Sequence, residues 1–209
     1  MKLRLPPIYP ITDRRLSGID HAAQVLALAS SGSRFIQLRE KDLPDDLLYE
    51  EAKAAIEAAS GTGVTLIIND RVDLAVALKA PGVHLGQADL PPDSARKLLG
   101  PDAIIGFSTH SIDQVKDAAR MPIDYLAFGP IFPTSTKEDP DPVTGIELLR
   151  EVCDLVGKLP VVAIGGITRS NICEVLAAGA ASAAIISDLY REGDPSAAYT
   201  DVIKVVSQC

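Results

Sequence analysis

Two hydrophobic periods alternate along the chain. Short aliphatic or β-branched runs recur as "IYPI" near Ile8, "FIQL" from Phe35, "TLII" from Thr65, "GVHL" from Gly82, "AIIGFS" from Ala103, "YLAF" from Tyr125, "VVAI" from Val161 and "AAII" from Ala183. Most are apolar at both alternating positions, the pattern of strands covered on both faces. Between them lie helical stretches: "HAAQVLALASSG", "PDDLLYEEAKAAIEAAS", "RVDLAVALK", "PPDSARKLLG", "SIDQVKDAAR", "TGIELLREVCDLVG", "RSNICEVLAAG" and "PSAAYTDVIKVVSQ". In the sixth of these, Ile146, Leu149, Val152, Cys153 and Val156 recur at three and four, which sets them in one apolar stripe. Ser111 with Gln114 has capping-box spacing, Asp20 and Pro92 stand at helix starts, and Gly100 and Gly179 at helix ends.

Strict strand–helix alternation leaves an open doubly wound sheet or a closed barrel, both with right-handed crossovers. Eight strand–helix units in 209 residues predict an α/β chain folded as a single (β/α)8 TIM-barrel domain over residues 1–209. No GxGxxG follows the first strand, which weakens a dinucleotide-binding alternative.

Composition narrows the picture. With 47% hydrophobic residues, no Trp, four Phe and five Tyr, the core is expected to be aliphatic. A net charge of −8 argues against a nucleic-acid surface, which needs a dense basic face. Any anionic ligand must be held locally. Cys153, Cys173 and Cys209 are an odd set without metal spacing, and are expected to be reduced, buried or terminal residues of a cytoplasmic protein rather than disulfide partners. Neither an export signal nor 18 consecutive apolar residues is present in the sequence, so no membrane association is expected.

In a barrel of this kind the loops that follow the strands build the reactive face. Strand two runs out as "QLREK", strand three as "INDR", strand four as "HLGQAD", strand five as "FSTHS", strand six as "FGPIFPTSTK", strand seven as "AIGGI" and strand eight as "IIS". Asp70 and Asp89 follow adjacent strands. Either they cap the helices that come next, or they share a hard cation such as Mg²⁺ with a substrate phosphate. Gln37, Arg39 and Lys41 alternate along the exit of strand two and should point to one side. Two cations there require anionic charge, from a ligand or from Glu40 or a neighbouring Asp. Lys137 adds a third cation across the mouth. Gly165 and Gly166, with Ser187 before another helical turn, match the barrel phosphate site built from backbone N–H groups. Two separate anion sites result.

The histidines carry less. His84 lies inside strand four and reads as a hydrogen-bonded interior residue. His110 serves acid–base chemistry or caps a helix, and His21 reads as helix surface. No Ser-His-Asp or Cys-His arrangement can be assembled, so no covalent nucleophile is expected.

The motifs "YPITD", "QLREK", "INDRVDLA", "GVHLGQADLP", "GFSTHS", "DYLAFGPIFPTSTK" and "AIGGITRSNICEVLAAGA" together resemble, in the same order, those of the thiamine-phosphate synthase (thiamine-phosphate pyrophosphorylase) family, over residues 9–187. The resemblance implies a transferase that joins 4-amino-2-methyl-5-(diphosphooxymethyl)pyrimidine to 4-methyl-5-(2-phosphooxyethyl)thiazole, giving thiamine phosphate and pyrophosphate. By matched motif, Gln37, Leu38, Arg39, Glu40, Lys41, Asn69, Ser108 and Lys137 would hold the pyrimidine diphosphate, and Asp70 and Asp89 would hold Mg²⁺. Thr134, Ser135 and Thr136, with Gly166, Ile186 and Ser187, would hold the thiazole phosphate. Arg39, Lys41, Ser108 and Lys137 would carry catalysis by stabilising the departing pyrophosphate. "TSTK" would then lie between the two substrates and order when they bind. The family likeness also makes a homodimer plausible. One departure is Pro81, where the family usually carries an acidic residue; it lies at the entry side of strand four, away from these positions. Two rivals remain: a thiazole tautomerase of the same superfamily using His110, and a non-catalytic barrel that binds thiazole phosphate.

Overall fold

A computed structural model describes residues 3–134, 136 and 141–209. Eight parallel strands close on themselves in sequence order: β1 (Ile8–Thr12), β2 (Phe35–Leu38), β3 (Thr65–Asn69), β4 (Gly82–Leu85), β5 (Ile104–Thr109), β6 (Tyr125–Phe128), β7 (Val161–Ala163) and β8 (Ser182–Ile185). The closure is made by β1 against β8, with Ile8 opposite Ala183 and Pro10 opposite Ile185. The expected strands are all present, and the (β/α)8 barrel stands.

Ten helices among the described residues connect them. They are α1 (Arg14–Ser17), α2 (His21–Ser30), α3 (Asp45–Ala59), α4 (Val72–Ala77), α5 (Pro92–Leu99), α6 (Ile112–Ala118), α7 (Gly145–Val156), α8 (Ile172–Ala177), α9 (Ser187–Tyr190) and α10 (Pro195–Val206). Local chemistry sets their ends. The Asp20 side chain accepts from Ala23 N at the start of α2, and Ser111 accepts from Gln114 N at the start of α6. Pro92 occupies the first turn of α5, where its missing N–H costs nothing, and Gly100 closes that helix at φ 88. On α7 the stripe faces the sheet, with Leu149 and Val152 fully buried. Truncating either large side chain to Ala would leave a cavity and cost roughly 1–5 kcal/mol.

The β-strand period divides the core into two layers. Alternate residues such as Tyr9, Ile11, Phe35, Ile67, Tyr125 and Val162 fill the barrel interior. Their neighbours, among them Ile36, Leu38, Leu66, Ile68 and Leu126, pack outward under the helices. This alternation aims the residue after each strand either into the mouth or away from it.

Two expectations are corrected here. Cys173, on α8, and Cys209 form a disulfide with Cα atoms 5.4 Å apart, although they are 36 positions apart in sequence. Helix α10 packs against α8 and carries the following residues back to Cys173, a proximity that spacing alone does not encode. Cys153 stays free, and burial, reinforced by Asp154, pushes its thiol up to about 11. The second is His21, which is fully buried instead of lying on a helix surface. As the first residue of α2 its ring turns inward, with Nδ1 2.8 Å from Thr12 Oγ1 and Nε2 3.2 Å from Glu40.

Candidate active site

At the carboxyl ends of the strands a cleft of about 810 Å³ opens, lined from nearly every strand–helix loop. Gln37, Arg39, Glu40 and Lys41 reach it from the end of β2, Asn69 and Asp70 from β3, and Asp89 from the loop after β4. Ser108 and His110 come from β5, Thr134 and Thr136 from the loop after β6, and Gly165, Gly166, Ile186 and Ser187 from β7 and β8. Leu38 is the exception. Its side chain lies in the outer core, so any contact from it to a ligand is confined to the main chain. Ser135 and Lys137, two of the four residues of the loop expected to order on binding, lie outside the described residues.

The two acids are neighbours. Asp70 adopts φ 60, a left-handed conformation that a non-glycine residue holds at a cost of about 1–2 kcal/mol. Its N–H donates to the His84 carbonyl (2.7 Å), which turns the chain sharply at the end of β3. Neither acid caps a helix, because the cap positions of α4 and α5 are Arg71 and Pro91, with no side-chain cap at either. Asp89 instead accepts from Gly86 N at 2.7 Å. Burial raises its carboxyl above the ordinary Asp value, the Gly86 bond works against that rise, and the adjacent Asp70 adds to it. Two carboxylates pressed together in partial burial form a site that a cation relieves. Their hard oxygens suit Mg²⁺, though no group of three His, Cys, Asp or Glu forms there among the described residues. The donor set therefore fits the expected ion.

Two of the candidate cations have found partners within the protein. The Lys41 ammonium contacts Asp70, and Arg39 Nη1 lies 3.2 Å from Asp13. Glu40 faces inward: its carboxylate accepts from Lys41 N and Asp42 N, each at 2.8 Å, besides meeting His21. Burial alone would raise the Glu40 carboxyl, but these bonds outweigh it and hold it below its usual value. Glu40 thus shapes the loop that presents Arg39 and Lys41.

Across the cleft the β7 and β8 lining, Ile164, Gly165, Gly166, Ile167, Ala184, Ile186 and Ser187, is uncharged. Gly165 and Gly166 take φ 98 and 65, and a Cβ on Gly166 would fall 2.5 Å from the Pro133 carbonyl oxygen. The Asn171 side chain donates to Gly166 O (3.0 Å) and accepts from Thr168 N (2.8 Å), which pins the turn. Behind Ser187, the buried Asp188 accepts from Arg169 N and from its guanidinium, tying the β7 and β8 loops together.

His110 does not cap α6; Ser111 does, while the backbone N–H of His110 donates to Gln114 (2.7 Å). Its ring Nδ1–H donates to the Gly129 carbonyl (2.7 Å), and Nε2 stands 3.6 Å from Asp141. His84 is interior as expected, bonded to Tyr125 and Ser108.

The family model described as thiamine monophosphate synthase matches residues 8–189. The chain belongs to this family. A thiamine-phosphate synthase from Roseiflexus castenholzii is 40% identical over 202 residues, covering 96% of this chain and 88% of that protein. One from Methanocella arvoryzae is 41% identical, covering 96% and 95%. Among solved structures, thiamine phosphate pyrophosphorylase from Pyrococcus furiosus superposes with a TM-score of 0.85 at 35% identity, covering 96% of this chain and 95% of that one.

The cleft also holds residues from the end of β1 that were not among the expected site residues. Asp13, Arg14 and Arg15 line the mouth from the β1 loop. Asp13 caps α1, accepting from Leu16 N, while it holds Arg39. The signal lies in "ITDRR", where an Asp follows a strand and opens a helical turn.

Proposed function

We propose that this protein is a thiamine-phosphate synthase, a transferase joining the pyrimidine diphosphate to the thiazole phosphate with release of pyrophosphate. The observation that carries this reading is the pairing, in one cleft, of a charged wall (Arg39, Lys41, Asp70 and Asp89) with a backbone wall (Gly165, Gly166 and Ser187). One wall suits a metal-bound diphosphate and the other a monophosphate.

In this reading Asp70 and Asp89 hold Mg²⁺. When bound, the ion supplies positive charge to the diphosphate oxygens. Arg39, Lys41, Ser108 and Lys137 supply the rest as the methylene–oxygen bond breaks and the electron pair leaves with pyrophosphate. Lys41 must exchange Asp70 for the diphosphate, and Arg39 must share itself between Asp13 and the ligand. Gln37 and Asn69 orient the pyrimidine ring, with Leu38 and Glu40 setting the β2 exit. Positive charge at the methylene carbon is delocalised into the aminopyrimidine, so no protein base is required. Thr134, Ser135, Thr136, Gly166, Ile186 and Ser187 hold the thiazole phosphate, which brings the ring nitrogen within reach of that carbon. Proximity is the protein's second contribution.

The enzyme acts on small molecules in the cytoplasm, as a monomer or a homodimer. Among the described residues no helix is long and apolar enough to cross a membrane. A tautomerase reading draws on His110, which lines the cleft with Nδ1 bonded to Gly129 and Nε2 3.6 Å from Asp141. It leaves the two acids and two cations without a task.

Incubating the purified protein with both substrates and Mg²⁺ tests the proposal. Release of pyrophosphate together with thiamine phosphate is expected. Tight thiazole phosphate binding without release would sink the synthase reading in favour of a non-catalytic barrel.

A further inference from the structure

Between Gln37 and Ser108 the barrel interior holds a line of polar groups, Tyr9, Tyr125 and His84, that no step above uses. The Gln37 amide Nε2 lies 3.1 Å from the Tyr9 hydroxyl, and Tyr9 lies 3.0 Å from the Tyr125 hydroxyl. Tyr125 is 2.9 Å from His84 Nδ1, and His84 Nε2 is 2.8 Å from Ser108 Oγ. The line starts at Gln37 in the cleft lining, crosses the apolar interior and returns to the cleft at Ser108. Both tyrosines are essentially inaccessible to solvent, so their protons must be given to one another or to the ring.

Hydrogen-bond counting gives the line one direction. With the Gln37 amide assigned so that Nε2 faces Tyr9, the amide donates and the Tyr9 oxygen accepts; the opposite amide orientation would reverse the line. The proton of Tyr9 then goes to its other partner, Tyr125, and the proton of Tyr125 goes to His84 Nδ1. A nitrogen that accepts is bare, so the neutral ring carries its proton on Nε2 and donates it to Ser108 Oγ. The serine proton cannot also point at His84, and turns into the cleft.

We infer that His84 is a positioning residue, held by Gln37, Tyr9 and Tyr125 in its Nε2–H tautomer so that the Ser108 hydroxyl faces the cleft as a hydrogen-bond donor. Burial raises both tyrosine hydroxyls above their ordinary value, so each keeps its proton. The line requires open space beside β5. A Cβ on Gly106 would come 2.0 Å from Tyr125 Cζ and 2.5 Å from His84 Nδ1, so glycine there makes room for the ring pair.

A serine fixed as donor suits an oxygen that gains negative charge, and a serine free to accept does not. That use of the proton rests on the synthase reading. The tautomer does not, and the two are tested separately. Nitrogen NMR of the histidine-labelled wild-type protein near neutral pH is expected to show a protonated Nε2 and a bare Nδ1 on His84. A protonated Nδ1 would overturn the inference with no variant needed.

Tyr125→Phe removes the donor that fixes the ring. It should give mixed His84 tautomers and lower turnover by about tenfold or more, with KM for both substrates within about twofold. Tyr9→Phe leaves Tyr125 in place but free to turn, and should give a smaller loss in the same direction. Unchanged turnover in a folded variant whose tautomer has shifted would refute the positioning role. If the wild type shows the expected tautomer but releases no pyrophosphate, the synthase reading fails and the tautomer stands.

Discussion

On the β2–β4 side of the cleft the candidates are charged side chains that have found partners: Lys41 on Asp70, Arg39 on Asp13, Glu40 on His21 and two loop N–H groups. On the β7–β8 side the candidates are the glycine turn, Ile186 and one serine, and the charged pair nearby, Arg169 with Asp188, stands behind the loops and outside the cleft lining. The difference is one of readiness. Charged groups brought out of water without a ligand pair with each other, so a substrate must compete for them. Backbone amides fixed by a turn need no exchange of partners. The first wall should govern turnover and metal response, and the second affinity.

The comparison breaks most visibly at Asp89. Asp89→Ala should lower turnover by about a hundredfold or more, because the developing charge loses its counter-ion site. Initial rates across a Mg²⁺ titration check this, and an unaltered metal response would remove Asp89 from the ligand set. A smaller effect is expected from Gly166→Ala. At φ 65, with its Cβ against the Pro133 carbonyl, alanine must distort the turn, at a cost of about 1–2 kcal/mol in urea denaturation. KM for the thiazole phosphate should rise about tenfold while kcat changes little. A fall in kcat alone would show that the two walls do not divide the work in this way.

The smallest effect has the opposite sign. Because the folded state raises the Asp89 carboxyl, its contribution to stability is fully present below the unfolded value near 3.8 and is lost as pH rises through the folded value. At neutral pH the metal-free protein therefore carries a destabilising charge. Asp89→Asn should raise its Tm by about 1–2 °C there, a gain kept small by solvent screening, and the gain should vanish in acid. Thermal melts in chelator at neutral and low pH measure it; a lower Tm for the variant at neutral pH would show that the carboxylate is a structural partner.

Where a feature depends on neighbours along the chain, it is legible in the residue order itself. The strand runs, the α7 stripe, the Asp20 and Ser111 caps and the Gly100 stop all rest on interactions within a few residues, and each is found. The cleft residues are legible for a related reason. In a parallel barrel the residue after a strand has one of two directions, so reading strand ends selects mouth positions; Leu38 differs in that its parity turns its side chain outward and leaves only its main chain toward the mouth.

What local pattern could not supply was the choice of partner. Asp70 and Asp89 look like helix caps until the chain turn at φ 60 brings them together, and His21 looks exposed until α2 folds its ring onto Thr12 and Glu40. Cys173 and Cys209 look unrelated until α10 returns to α8. Period and capping act over one or two turns, and so the alternating barrel and its polar rim follow from the order of residues. Ion pairs, the disulfide and the line from Gln37 to Ser108 join residues up to 116 positions apart, and only closure of the barrel sets them face to face.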